Sequence, residues 1–262
     1  MNINKQTPYK AYLKLLRKLP NFKEKNIAIK SGPLKGYKWN LASRNNAFFI
    51  GDHEEDQIKF ILDNLDDNGC FYDIGANAGY YSIAASLKLK KENSIFAFEP
   101  MPHFVDMVNY HAKLNNVKNI EVFQYALSDK PGEVEFSNIE ESSGNTYVQD
   151  SSLYKKSSNV IKVKTIGLDD FLESTPGAKP PTIIKLDAEG AEYDVLKGAK
   201  NMLLKYKPLM LLSTHDRHLP GVKKRCLDFL SELGFEYEEQ DLGLKESGLE
   251  DFIVRPTIKQ TT

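Results

Sequence analysis

Residues 69–80, Gly-Cys-Phe-Tyr-Asp-Ile-Gly-Ala-Asn-Ala-Gly-Tyr, have the types and spacing of a ligand-binding turn. An apolar run closes on Asp73, small residues follow at Gly75, Ala76, Ala78 and Gly79, and a periodic helix starts near Tyr80. Glycine reaches unusual backbone dihedrals and adds no side chain, so amide N–H groups and a helix N-terminus can approach a ligand closely. A nucleotide-like ligand is the natural expectation. The dinucleotide fingerprint G-x-G-x-x-G fits badly, because counting from Gly75 its later glycines fall on Asn77 and Tyr80. The pattern is instead Asp-x-Gly-x-Asn-x-Gly, which Asn77 permits because asparagine enters the left-handed region more readily than most residues. An NAD-dependent oxidoreductase is therefore the weaker reading.

Three further blocks carry polar groups at strand ends. Residues 94–102 form an apolar strand closing on Glu99, about twenty residues beyond the turn, where a carboxylate on a parallel neighbour can accept both ribose hydroxyls of a nucleoside. Residues 182–187 form another strand that delivers Asp187, with Glu189, Gly190 and Glu192 just beyond it; alternation puts Lys185 and Asp187 on one strand face. Glu192 reads most simply as an acid at the start of the next helix. Residues 209–216 place His215 at the end of a fifth strand, either as a base with a near-neutral pKa or as a structural histidine. Asp187, Glu189 and Asp216 are hard oxygen ligands that a magnesium ion would accept, but proximity in sequence does not make a coordination shell, so a divalent metal is possible without being supported. Zinc-like Cys/His spacing is absent.

Asp73-Ile-Gly-Ala-Asn-Ala-Gly-Tyr-Tyr-Ser82, Phe98-Glu-Pro-Met-Pro102, Tyr125-Ala-Leu-Ser-Asp129 and Ile184-Lys-Leu-Asp-Ala-Glu-Gly-Ala-Glu192 with Leu196-Lys-Gly-Ala199 resemble, in order and spacing, the FkbM family of S-adenosylmethionine-dependent methyltransferases. The resemblance covers roughly residues 51–255. It implies a class I methyltransferase fold, a Rossmann-like doubly wound α/β sheet that is mostly parallel with an antiparallel strand near the C-terminus. It also implies methylation of a hydroxyl on a sugar, glycan or secondary metabolite, with nucleic acid or protein as alternative acceptors. The cofactor-binding set it suggests is Glu54, Asp73, Gly75, Ala76, Asn77, Gly79, Tyr80, Glu99, Pro100, Met101, Ala126, Leu127 and Asp187, with Ala126 and Leu127 against adenine. Methyl transfer from sulfonium to oxygen needs in-line alignment and a group to take the hydroxyl proton. Asp187, Glu189 and His215 are the candidates. The family often carries an acid two positions before this histidine; Ser213 stands there, which weakens any role that depends on that acid.

The elements that must position these residues alternate. Helix 55–65 precedes the first strand; strands then fall at 95–99, 120–125, 182–187 and 209–216, with helices at 103–115, 193–199 and 222–233 between or after them. Units of this length imply parallel pairing by right-handed crossovers, with ligands outside the strands' carboxyl ends. Strands at 235–239 and 252–255 close the sheet. Residues 1–49 read as an N-terminal extension, with a basic amphipathic helix at 9–19 and a hairpin at 26–31 and 37–40, ahead of a methyltransferase domain at 50–262. The polar stretch 138–158 breaks the alternation and reads as a lid over the substrate or an excursion without structure.

Thirty-five basic and 36 acidic residues give a net charge of -1, so no global footprint for nucleic acid is present. Only Cys70 and Cys226 occur, far apart, and suit buried free thiols in a reducing cytoplasm. No signal-peptide layout or run of about eighteen apolar residues is found. A small-molecule or glycan acceptor is the expected partner, and nothing in the sequence bears on oligomeric state.

Overall fold

The computed structural model describes residues 24–43, 54–137, 160–240 and 249–257. The expected basic helix at 9–19, the stretch 138–158 and most of the loop at 241–251 lie outside those residues. Along the chain run strands β1 (Asn26–Ala28) and β2 (Lys38–Asn40), helix α1 (Glu55–Asn64), β3 (Phe71–Ile74), α2 (Tyr80–Ala85), β4 (Ile95–Phe98), α3 (Pro102–Leu114) and β5 (Ile120–Phe123). There follow β6 (Ala126–Leu127), β7 (Gly132–Ser137), β8 (Val160–Ile166), α4 (Leu168–Ser174), β9 (Ile183–Leu186), α5 (Glu192–Lys197) and α6 (Lys200–Tyr206). The order ends with β10 (Leu209–His215), α7 (Val222–Glu232), β11 (Phe235–Gln240) and β12 (Leu249–Pro256).

Seven strands form the central sheet in the order β11-β12-β10-β9-β3-β4-β5. The β3, β4, β5, β9 and β10 neighbours pair in parallel, and β12 lies antiparallel between β10 and β11. Strands β3, β4 and β9 are buried along their whole length, as an apolar strand covered on both faces requires. Period-2 alternation divides their side chains: Tyr72, Phe98, Ile184 and Leu212 pack with α4 to α7 on one face, whereas Phe71, Ile95, Ile183 and Leu211 pack with α1 and α2 on the other.

The chain leaves β3 toward β4 and β5 on one side and returns to β9 and β10 on the other. Between β3 and β9 the order reverses, and there the carboxyl ends of two adjacent strands part to leave a crevice. Residues 75 and 187 meet there, the Asp187 N–H donating to the Ile74 carbonyl at 3.0 Å.

The hairpin expected at 26–31 and 37–40 is present; its docking, and a second sheet, were not foreseen. Strands β6, β8 and β7 form a separate three-stranded sheet, whose Phe136 and Val163 pack on Met101, Phe104 and Ala126 beside the crevice. The β1-β2 hairpin docks on α3 through Trp39, whose ring stacks on His111 at 3.7 Å. His111 is buried and links two distant segments: Nδ1–H donates to the Ala78 carbonyl (2.8 Å) and Nε2 accepts the Asn40 N–H (3.0 Å). Ala78 belongs to the glycine turn, so the hairpin braces that turn from behind.

Candidate functional site

The turn after β3 is built by backbone geometry. Gly75 has φ +77°, and a Cβ on it would lie 1.8 Å from the Asp187 carbonyl oxygen, so only glycine lets the turn close against the end of β9. The Gly75 and Ala76 amides both donate to the Phe98 carbonyl, which ties the turn to β4. Asn77 takes φ +50°, as its type allows, and its side-chain oxygen accepts the Ala78 N–H at 2.8 Å.

Glu99 follows β4 and points back at this turn. One carboxylate oxygen accepts the Asn77 N–H (2.8 Å), the other the Met101 N–H (2.9 Å). Burial raises its pKa to about 7; the two amide bonds oppose that shift, while the charges of Asp73 and Glu189 add to it. Asp73 is also buried and accepts the Ser82 hydroxyl at 2.5 Å; burial lifts it to about 6 against that hydrogen bond.

A cleft of about 860 Å³, its open mouth included, joins these groups to the end of β9. Gly75, Asn77, Glu99, Pro100, Ala126, Leu127, Asp187 and Glu189 line it. Phe104, Val134 and Phe136 complete an apolar wall near Ala126 and Leu127. The last two come from β7, a contribution that nothing in the local pattern signals. The remaining expected residues stand behind the cleft. Asp73 is under the turn, Ala76 is packed with Ala97 and Val108, Gly79 caps α2, and Met101 reaches the site only through its N–H to Glu99. The Tyr80 ring turns into the core edge-on to Trp39, 5.5 Å away. Glu54 lies outside the cleft lining and accepts from the Tyr81 hydroxyl at 2.6 Å.

At the far lip stands a cluster of acids and histidines. Asp187 is about one third exposed and is flanked by two cations. Its Oδ2 lies 3.2 Å from Lys185 Nζ and its Oδ1 3.4 Å from His215 Nε2. Glu189, in the left-handed region at φ +52°, brings Oε2 to 3.6 Å from the same imidazole nitrogen and 3.0 Å from His218 Nδ1. The His215 and His218 rings stack at 5.3 Å. Behind His215, Nδ1–H donates to Glu192 Oε1 at 2.8 Å, and the same oxygen accepts the Gly190 N–H. Glu192 is wholly buried. Its helix-start position hid this role: the sequence shows the acid but not the ring 23 residues on that needs it. Burial disfavours charge on His215, but the Glu192 hydrogen bond and the Asp187, Glu192 and Glu189 carboxylates outweigh it and raise its pKa to about 9.

Asp187, Glu189 and His215 each offer a ligand atom within 4.8 Å of the others, a mixed oxygen and nitrogen set that a divalent ion could accept. The set differs from that expected: Asp216 turns away to accept the Lys223 N–H at 2.7 Å near the start of α7, and His215 takes its place.

Residues 73–237 match the model of the "Methyltransferase FkbM domain" family. Among curated proteins, the chain is 28% identical over 189 residues to hexuronic acid methyltransferase AglP of Haloferax volcanii, covering 68% of this chain and 74% of that one. It is 29% identical over 145 residues to 2-O-methyltransferase NoeI of Sinorhizobium fredii, covering 51% of this chain and 58% of the relative. Among solved structures, methyltransferase FkbM from Methylobacillus flagellatus superposes with a TM-score of 0.50 at 13% identity, over 96% of this chain and 60% of that one; the likeness is one of fold.

Proposed function

The chain belongs to the FkbM-domain methyltransferases, and from that premise we propose that it methylates a hydroxyl of a sugar or glycan, with S-adenosyl-L-methionine as donor. The observation that carries the proposal is the convergence of the Asn77 turn, Glu99, Asp187 and Glu189 on one cleft at the strand-order reversal, with His215 Nε2 at 3.4 and 3.6 Å from the last two. The residues fit the donor. Gly75 and Asn77 of the turn line the cleft, Glu99 is a buried acceptor for two ribose hydroxyls, and Ala126, Leu127 and Phe136 form an apolar slot for adenine. When bound, the donor supplies an electrophilic methyl and a positive charge that lowers the pKa of a neighbouring imidazolium.

On the protein side, the acceptor hydroxyl has to lose its proton. We assign that proton to His215 Nε2. Glu192 fixes the tautomer and ring plane from the opposite nitrogen, which leaves Nε2 to Asp187 and Glu189; these two line the cleft, and His215 itself does not. Asp187 and Glu189 hold the resulting imidazolium and orient the acceptor's hydroxyls. Because the free-enzyme pKa of His215 is about 9, the competent neutral form grows as pH rises. The expected kcat/KM for the donor therefore climbs roughly tenfold per unit between pH 7 and 9, more steeply below pH 7 where Glu99 also takes up a proton, and levels above pH 9. A profile flat between pH 7 and 9 would remove His215 as the base.

The first relative is a hexuronic acid methyltransferase, which supports a sugar acceptor, and the second a 2-O-methyltransferase, which supports transfer to oxygen. Among the described residues no helix is long and apolar enough to cross a membrane, and Cys70 and Cys226 are buried free thiols, which suit the reducing cytoplasm proposed as the site of action. The test is an acceptor panel of hexuronic acids, neutral sugars, RNA and peptides, read by S-adenosylhomocysteine formation. Turnover on a sugar hydroxyl supports the reading, whereas turnover confined to RNA or peptide overturns it.

A further inference from the structure

Lys185 is almost fully buried, at 2% exposure, so its ammonium needs counter-charge. One partner is Asp187, a residue of the cleft. The second lies on another strand. Ser213 accepts a hydrogen bond from Lys185 Nζ at 2.5 Å and donates its own proton to Asp251 Oδ1. Asp251 is buried at 3% exposure, directly opposite Ser213 in the β10-β12 register, and its other oxygen accepts from Gln57 Nε2 at 2.6 Å. Gln57 Oε1 and Glu54 Oε2 share the Tyr81 hydroxyl. A continuous polar chain thus runs from Glu54 to Asp187 on the face of the sheet that α1 and α2 otherwise fill with apolar side chains.

We propose that Asp251, on the last strand of the sheet, is a positioning residue of the methyl-transfer site, holding Ser213 and Lys185 so that Asp187 keeps one oxygen for His215. The inference rests on the methyltransferase reading above. Its physical basis is the division of one buried ammonium between two carboxylates. The Ser213 hydroxyl has a single proton, and giving it to Asp251 turns a lone pair toward Lys185. The ammonium is then drawn toward β12 as well as toward Asp187. Without that second pull, Lys185 would depend on Asp187 alone and draw its carboxylate inward, away from the ring. Asp251 touches neither the cleft nor His215 and acts through Ser213 and Lys185.

The test uses D251N, D251S and the swap S213D/D251S. The swap moves the carboxylate across the strand pair to a place where it meets Lys185 directly. In D251N the new amide sets a donor against Gln57 and removes the charge, so kcat should fall by about 10- to 100-fold. S-adenosylhomocysteine affinity by calorimetry should stay at the wild-type level, because the Glu99 side of the cleft is untouched. D251S should lose as much, and the swap should recover most of the rate. A residue needed only for folding would lower the melting temperature and the yield of active protein together, with kcat per folded molecule unchanged and nothing regained by the swap. If D251N does not fold, the swap, which keeps a carboxylate in the network, decides. Wild-type kcat in folded D251N, or a folded swap no faster than D251S, overturns the inference and leaves the methyltransferase reading standing. A wild-type protein that neither binds S-adenosylhomocysteine nor turns over any acceptor instead removes the reading on which both depend.

Discussion

Glu99 sits between opposing effects, burial that favours its neutral form and two amide donors that favour its charge, and the balance falls at about pH 7. Ribose hydroxyls donate to a carboxylate, so binding selects the ionised form. Affinity for S-adenosylhomocysteine should therefore be constant above pH 7 and fall roughly tenfold per unit below it, with proton release on binding near neutrality. Calorimetry in two buffers of different ionisation enthalpy measures both effects. Glu99→Ala removes two charge-assisted hydrogen bonds worth about 1.5–3 kcal/mol each, so affinity should drop about 100-fold or more and the pH dependence vanish. Residues such as Glu99 and Asp187 are legible in the sequence because a strand-end acid declares its own position. Glu192 and Asp251 are not. The first looks like an ordinary helix-start acid, and the second acquires its meaning from Ser213, 38 residues away and across a strand pair.

The turn between β3 and α2 is the element on which the cleft depends, and it is tied down from two sides. In front, a methyl group at position 75 would meet the Asp187 carbonyl at 1.8 Å in a left-handed conformation that alanine disfavours. Gly75→Ala should abolish S-adenosylhomocysteine binding, and a far-ultraviolet spectrum near wild type would show that the sheet survives. Behind it, His111 holds Ala78 and Asn40 in its neutral form, its pKa lowered to about 4 because burial outweighs the Ala78 hydrogen bond. Between pH 6.5 and 4 the unfolded chain takes up a proton at this ring and the folded chain does not, so its contribution to stability falls as pH drops, by about 3 kcal/mol in all. Asp73 and Glu99, with raised pKa values, act in the opposite sense over an overlapping range. The measurement is therefore a difference. Denaturant curves should show His111→Gln less stable than wild type at pH 8, with the gap narrowing by about that amount on descent to pH 4. The parallel elements were readable because their apolar runs and acidic ends recur at regular spacing. The β6-β8-β7 sheet was not, since two of its three strands meet only across residues 138–159.

At the scale of the molecule, three separate pieces converge on one crevice: the doubly wound sheet, the small sheet that walls its apolar side, and the hairpin that braces the turn. Trp39 joins the hairpin to the core shared by α1 and α2 and is completely buried. Trp39→Ala should cost about 3–5 kcal/mol of stability, read by thermal melting. Much of that melting temperature should return with saturating S-adenosylhomocysteine, since a ligand at 100 times its Kd adds about 2.7 kcal/mol. Fold class and the edge of the sheet that carries the site follow from strand and helix alternation, which is local information. The pairing of last strand with active cluster follows from register, which is not. The central claim is spatial, that the Asn77 turn and Glu99 hold an adenosyl group whose sulfur faces Asp187 and His215. Diffraction from crystals grown with S-adenosylhomocysteine tests it most directly. The account predicts ribose hydroxyls on the Glu99 carboxylate, adenine between Leu127 and Phe136, and sulfur turned toward the Asp187–His215 pair. A ligand seated elsewhere, or one with its sulfur directed away from that pair, would contradict it.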